Sequence, residues 1–300
     1  MIQMFAWMYL WPVGMLLSVS VLGVFLFLAM ANLLLGLGVV SLYGLCPKDP
    51  LFASIAQQLR NKVVEENLQE TFQLEVRYPL PSVAIYIWSP HALLSVSSVM
   101  FNIPICRHPR YVPNHLVTLP VYHYIPVLSD IMRYMNVISS DYHSIEKTLL
   151  KKESVSLMLG GVREMNMTED YKIQLCIRKR RGLFRIALST GTPLVPVLSY
   201  GENEMFQRAN IPAIHSLNEF LYSRFGTSIS IPSFYSLRNW IDLSYRSLKP
   251  IRSYTGKPIY VKKIANPTEK EIVALRNLYI KRIEELFRET ASPEYSLHIE

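Results

Sequence analysis

Three hundred residues suffice for one large domain or two small ones, with a core of ordinary size. Half of the residues are hydrophobic and the formal charge is +8, yet residues 1–47 contain no Asp, Glu, Lys, Arg or His. All of the charge therefore lies on residues 48–300, which suits a body held against an anionic membrane surface or an anionic ligand. Nucleic acid is disfavoured as a partner, because acidic residues interleave with the basic ones and no recognition motif is present. Cys46, Cys106 and Cys176 are far apart and odd in number, so they imply neither a disulfide framework nor a metal site. Reduced thiols facing the cytosol fit best.

Residues 2–46 form a continuous apolar block, too long for one ordinary span of roughly 20 residues. Two short spans broken near Pro12-Val13-Gly14 or Gly23 would use that length, as would one tilted span starting after Pro12. A cleaved signal peptide fits less well, since there is no basic leader and the apolar run continues past Ala31. A retained anchor over 1–47 then leaves residues 48–300 as one body, and Lys48 with the basic residues beyond it places that body on the cytoplasmic side.

The spacing of Leu51, Ile55, Leu59, Val63 and Val64 predicts a helix over 51–70, and Phe72–Arg77 reads as a short strand. Val83-Ala84-Ile85-Tyr86-Ile87-Trp88 is a β-branched and aromatic run that predicts a buried strand. Pro90 ends its ladder, so His91 falls just past the carboxyl end, where α/β proteins present functional side chains. Leu93–Phe101 follows as a helix or a second apolar piece. Five prolines between Pro104 and Pro126 predict an irregular connection, and Leu128–Met135 and Ile145–Leu150 read as helical. Strand-like runs follow at Val155–Leu159, Leu194–Tyr200 and Pro258–Val261, with a helix over Leu183–Ser189 capped by Gly191. Strand, helix and strand with glycines at the carboxyl ends predict an α/β fold with a mostly parallel or mixed sheet. In the last helix Thr268-Glu269-Lys270-Glu271 is a capping box, and Ile272, Leu275, Tyr279, Ile283 and Leu286 repeat at helical spacing.

Several of these pieces resemble one family. Gly160-Gly161-Val162-Arg163-Glu164 resembles a Gly-Gly-x-x-Glu motif of the diacylglycerol/monoacylglycerol acyltransferases, in the branch anchored by a short apolar hairpin. Arg178-Lys179-Arg180-Arg181-Gly182-Leu183-Phe184 is similar to that family's basic helix entry, and Leu194-Val195-Pro196-Val197 with Tyr200-Gly201-Glu202-Asn203-Glu204 to its Val-Pro-Val and Gly-Glu-Asn block. The likeness runs from about Ile85 to Phe287. It departs at the site itself, where the family's His-Pro-His-Gly is Ser89-Pro90-His91-Ala92. If the replaced glycine needs a positive φ, Ala92 is strained or the loop differs.

The resemblance implies acyl-CoA as co-substrate with no permanently bound cofactor, membrane lipids and a neutral lipid alcohol as partners, and the endoplasmic reticulum or a lipid droplet as the place of work. It implies a glycerolipid-acyltransferase-like fold behind the membrane-embedded helix or hairpin, and a homo-oligomer is compatible with it. Acyl transfer to an alcohol needs a base for the hydroxyl proton, and neutral imidazole with an unperturbed pKa of about 6.5 suits that task. His91 is the candidate base, with Asp130 or Glu164 to orient it. Ser89 or the Gly160-Gly161 turn is the candidate donor for the oxyanion. Arg178, Lys179, Arg180 and Arg181 are candidates for the phosphates of coenzyme A or for anionic headgroups. The His-x-x-x-x-Asp pattern of glycerol-phosphate acyltransferases is absent, because Val96 stands fifth after His91. A catalytically idle lipid-binding or droplet-surface relative is the alternative reading.

Overall fold

In the computed structural model of the chain, the residues described are chiefly 72–93, 97–99, 114–124, 136–205, 211–225 and 250–300, with single positions between them. The sheet is built outward from β2 (Ile85–Ser89), in which every residue is buried. A strand so rich in Ile, Tyr and Trp suits a place covered on both faces. Its parallel neighbours are β5 (Ser154–Leu157) and β7 (Leu194–Tyr200). Beyond β5 lie β3 (Asn114–Thr118) and β4 (Val137–Ser139), both parallel. Beyond β7, β8 (Ile251–Thr255) runs antiparallel, and β1 (Phe72–Val76) pairs parallel with β8. The result is a seven-stranded mixed sheet in the order β1-β8-β7-β2-β5-β3-β4. A separate parallel pair joins β6 (Lys172–Leu175) to β9 (Ser296–Ile299).

One face of the sheet is covered by α1 (Tyr142–Leu150), α3 (Gly182–Thr190) and α6 (Glu269–Thr290), which share a core with Ile85, Ile87, Val155, Leu194 and Leu198. The predicted stripe of α6 is the buried one: Ile272, Leu275, Tyr279, Ile283 and Leu286 all face inward. Tyr279 meets Phe184 of α3 at 5.8 Å between ring centroids, a tilted aromatic contact at the middle of this layer. The Thr268 side chain accepts from Glu271 N and the Glu271 side chain accepts from Thr268 N, so the capping box closes as read. Gly191 ends α3 in the left-handed conformation, also as read. The opposite face carries Tyr86, Trp88, Val195 and Val197, with Trp88 Nε1 donating to Ser156 Oγ at 3.1 Å. Two short helices, α2 (Val162–Asn166) and α4 (Glu202–Met205), follow β5 and β7, and the longer α5 (Pro212–Phe225) comes after α4 in the chain.

The expected α/β architecture with a mixed sheet is what the chain adopts, with local corrections. The strand expected at Pro258–Val261 lies earlier, at Ile251–Thr255. Pro258 has no N–H for a ladder, and only Ile259 makes a bridge, to Leu194. The proline-rich stretch expected to be irregular contains β3, because Pro113 and Pro120 stand just outside that strand and leave its own N–H groups free to pair. The first two strand-like runs, β5 and β7, run parallel on either side of β2, in keeping with the expected strand-helix-strand arrangement. The anchor over 1–47, the helix over 51–70 and most of Leu93–Phe101 and Leu128–Met135 lie outside the described residues. No helix among the described residues is long and apolar enough to cross a membrane.

Candidate active site

The site forms where β2 stops. Ser89 is the last residue in register, opposite Leu198, and Pro90 then turns the chain out of the sheet. His91, which follows, is part-buried. Its Nδ1 lies 2.9 Å from the Ala92 carbonyl oxygen. A carbonyl only accepts, so the ring carries its proton on Nδ1 and presents a lone pair at Nε2, to which no described residue bonds. Ser95 Oγ stands 3.4 Å from the same Nδ1. Burial lowers the His91 pKa below its ordinary value, with the Ala92 carbonyl pulling the other way, so the neutral form is favoured near pH 7. Ala92 is 1% exposed and is not among the described residues with positive φ. Among the described residues of this segment the left-handed one is Ser95, at φ 38°, so an alanine at position 92 meets no positive-φ strain.

Glu164 reaches the same loop from α2. Gly161 enters that helix at φ 61° and ψ −147°, a region open to glycine and strained for other residues. Gly160 is glycine for a different reason: a Cβ there would lie 1.8 Å from Glu164 Oε1. The carboxylate thus lies directly over the Gly160 backbone. Oε1 accepts from Cys176 N at 2.8 Å, and Oε2 accepts from His91 N at 3.3 Å. Glu164 is 3% exposed, and burial pushes its pKa up to about 7, opposed by those two N–H groups and by Arg180. The carboxylate expected to orient the imidazole therefore grips the main chain of His91 instead, while the ring is bonded by Ala92. Asp130, the other candidate for that task, lies outside the described residues.

The structure divides the basic run. Arg180 Nη2 donates to the Gly160 carbonyl at 2.5 Å and so belongs to the Glu164 cluster. Arg178 Nε donates to Ile299 O at 3.2 Å, and Arg181 pairs with Glu269 at 3.2 Å. Lys179 is exposed, and no described residue pairs with it. Ser89, expected near the oxyanion, is 3% exposed and sits on the helix-covered face of β2 beside Tyr279. Burial holds the Tyr279 phenol far above its ordinary value, with Ser89 opposing the shift.

The Gly201-Glu202-Asn203 block follows β7. Gly201 turns the chain at φ 93°, which brings α4 back over the sheet end. Asn203 Nδ2 donates to the carbonyls of Glu169 and Lys172, at 3.1 and 2.9 Å, and holds the entry to β6. Glu202 Oε1 accepts from Ser97 N at 2.6 Å. Burial raises the Glu202 pKa to about 7, with Ser97 lowering it. This sets the sign of a stability effect. A folded-state pKa above the ordinary 4.5 means that the folded protein holds more protons between those values, so stability falls as pH rises from about 4.5 through about 7. Glu202→Gln removes that loss. The variant should match the wild type only below about pH 4.5, begin to exceed it by pH 5, and lead by on the order of 3 kcal/mol above neutrality. Melting temperatures of the two proteins from pH 5 to 8 test this, since other titrating groups cancel in the difference; a gap independent of pH would refute it.

Sequence reading did not single out Cys176, Ser95, Ser97, Ser199 or Ser253. The signal within reach was the serine cluster Ser95-Val96-Ser97-Ser98 inside an otherwise apolar segment after His91. Polar side chains in such a place have partners when buried.

The central strand of this α/β sheet thus ends at a part-buried imidazole whose main chain is clamped by a buried carboxylate. The chain belongs to a known family: the model for diacylglycerol acyltransferase matches residues 24–298. Among curated relatives, human 2-acylglycerol O-acyltransferase 1 is 28% identical over 68% of this chain and 64% of its own length. Diacylglycerol O-acyltransferase 1 of Saccharomyces cerevisiae is 30% identical over 59% of this chain and 44% of its own. Diacylglycerol O-acyltransferase 2 of Dictyostelium discoideum is 26% identical, over 76% and 73%. The matched part spans less than two thirds of the length of the first two. Among solved structures, the 1-acyl-sn-glycerophosphate acyltransferase PlsC of Thermotoga maritima shares 14% identity at a TM-score of 0.45, over 89% of this chain and 94% of that one.

Proposed function

We propose that this protein is an acyl-CoA-dependent O-acyltransferase that moves a fatty acyl group to a neutral lipid alcohol, with diacylglycerol as the first acceptor and triacylglycerol as its product. Residues 1–47 anchor it in the endoplasmic reticulum membrane, with residues 48–300 on the cytosolic side. The observation that carries this reading is the His91 ring, bonded through Nδ1 to the Ala92 carbonyl, with no described residue on Nε2. Membership of the family and the names of its relatives, 2-acylglycerol and diacylglycerol O-acyltransferases, support the substrate class.

In the reaction the acceptor hydroxyl attacks the thioester carbonyl while Nε2 of His91 takes its proton. The C–O bond forms and the carbonyl oxygen becomes an oxyanion. Collapse of that intermediate breaks the C–S bond, and the departing thiolate takes the proton back from the imidazolium. No covalent acyl-enzyme is needed. Glu164 holds the backbone of His91 at the required place, and Arg180 fixes the Gly160 turn beneath it. Of the basic run, Lys179 is the residue left to meet coenzyme A phosphate.

Protein purified in detergent, given labelled oleoyl-CoA and a panel of diacylglycerol, monoacylglycerol and a long-chain alcohol, tests the proposal. The expected product is triacylglycerol, formed faster than the others. Absence of product with every acceptor would sink the enzymatic reading. In the same assay Lys179→Gln should raise KM for acyl-CoA by about 2- to 5-fold and weaken its salt dependence, as expected of one exposed charge. An unchanged KM would return Lys179 to the solvated surface.

A further inference from the structure

The segment that leaves β2 is held at both ends by buried carboxylates. Glu164 holds its start, at His91 N. Glu202 holds its far end, at Ser97 N, 2.6 Å away. Ser97 is tied to the sheet a second time: its Oγ lies 3.0 Å from Ser199 Oγ on β7, and Ser199 Oγ lies 2.8 Å from Ser253 Oγ on β8. Two residues before Ser97 stands Ser95, whose φ of 38° costs an L-residue about 1 kcal/mol and persists only where the surroundings impose it. Ser98 Oγ donates to the Ser95 carbonyl at 2.8 Å, and Val99 N donates to it at 3.4 Å. Ser95 Oγ in turn faces Nδ1 of His91 at 3.4 Å. Each serine named here, and Glu202, is at most 6% exposed.

A buried carboxylate is a costly acceptor for the N–H and hydroxyl of one serine, and neutral acceptors would satisfy both at a lower desolvation cost. Stability alone does not account for it. We infer that Glu202 is a positioning residue for His91: it fixes Ser97, Ser97 fixes the left-handed turn at Ser95, and Ser95 sets the face on which the imidazole is held. The inference rests on the reading of His91 as the base. It gives the Gly-Glu-Asn block a task at the centre of the site, although the block lies beyond β7 in the chain.

The test compares Glu202→Ala, Glu202→Gln and Ser95→Ala with the wild type in the detergent assay, alongside His91→Ala. Glu202→Ala should lower kcat by about 10- to 100-fold with little change in KM for acyl-CoA. Glu202→Gln, whose amide oxygen still accepts from Ser97 N, should restore most of the loss. Ser95→Ala should lower kcat by about 3- to 10-fold at an unchanged melting temperature, and its effect should vanish in the Glu202→Ala background. A second readout needs no turnover. The rate at which diethyl pyrocarbonate modifies His91, followed by mass spectrometry of its peptide, should rise several-fold in Glu202→Ala and in Ser95→Ala, and not in Glu202→Gln.

Loss of stability in Glu202→Ala with kcat and the His91 modification rate unchanged would overturn the inference. Should Glu202→Ala fail to fold, Ser95→Ala decides: wild-type kcat and modification rate there also overturn it. If His91→Ala keeps its turnover, the assignment of the base fails instead. If no variant and no wild type turns over, the modification rates still decide the positioning role.

Discussion

His91→Ala should lower turnover by about 10²- to 10⁴-fold, the range for losing a general base. The protein should stay folded, because His91 is part-buried in a turn and the hydrogen bonds of its ring to described residues go to Ala92 and Ser95 within the same segment. The main-chain bond to Glu164 survives the substitution, so the loop keeps its anchor. Turnover of the wild type should rise with pH through a pKa below about 6.5, since burial lowers the basicity of the ring and the reactive form is neutral. A fall in activity matched by an equal fall in melting temperature would instead mean that His91 is a packing residue.

Gly160→Ala is the second large effect, and it acts without touching the base. The new Cβ would stand 1.8 Å from Glu164 Oε1 and 1.9 Å from its Cδ, so the carboxylate must leave its place. Cys176 N and His91 N then lose their acceptor, at about 1–3 kcal/mol for each buried N–H, and the displaced side chain adds strain. A loss of roughly 3–5 kcal/mol is expected, with turnover reduced by 10-fold or more as the His91 backbone comes free. The double variant Gly160→Ala/Glu164→Ala should regain part of the stability, because the clash is gone, and none of the turnover, because the clamp is gone too. A single variant with the melting temperature and turnover of the wild type would show that the carboxylate does not lie over Gly160.

What could be read in the chain beforehand were the features written locally. The strand before His91 declares itself by a run of β-branched and aromatic residues ending in proline, and α6 by its capping box and its apolar stripe. β8 does not declare itself because Arg252 interrupts the apolar pattern of Ile251–Thr255, whereas Pro258–Val261 has the apolar look but begins on a proline that cannot donate. Some members of the candidate site, His91 and Glu164 among them, were legible as residues, and their arrangement was not. Glu164 could be picked from its motif, but its partners are a backbone N–H 73 positions earlier and another 12 positions later. No spacing rule encodes that, because it depends on β2, β6 and α2 meeting in space. The basic run shows the converse: Arg178 and Arg181 look free in sequence and are engaged in the fold. Whether a charge is available for a ligand depends on neighbours supplied by the C-terminal helix and strand.

The central claim is that Nε2 of His91 takes the acceptor's proton, and His91→Gln measures it most directly. Glutamine keeps a hydrogen-bonding amide of similar reach yet cannot accept a proton near neutral pH. The measurement is kcat over pH 5–8 for wild type and variant, with melting temperatures taken on the same samples. The account predicts a folded variant with turnover down by about 10²-fold or more and without the acidic limb of the wild-type profile. A folded His91→Gln protein with near wild-type turnover and the same pH profile would contradict it.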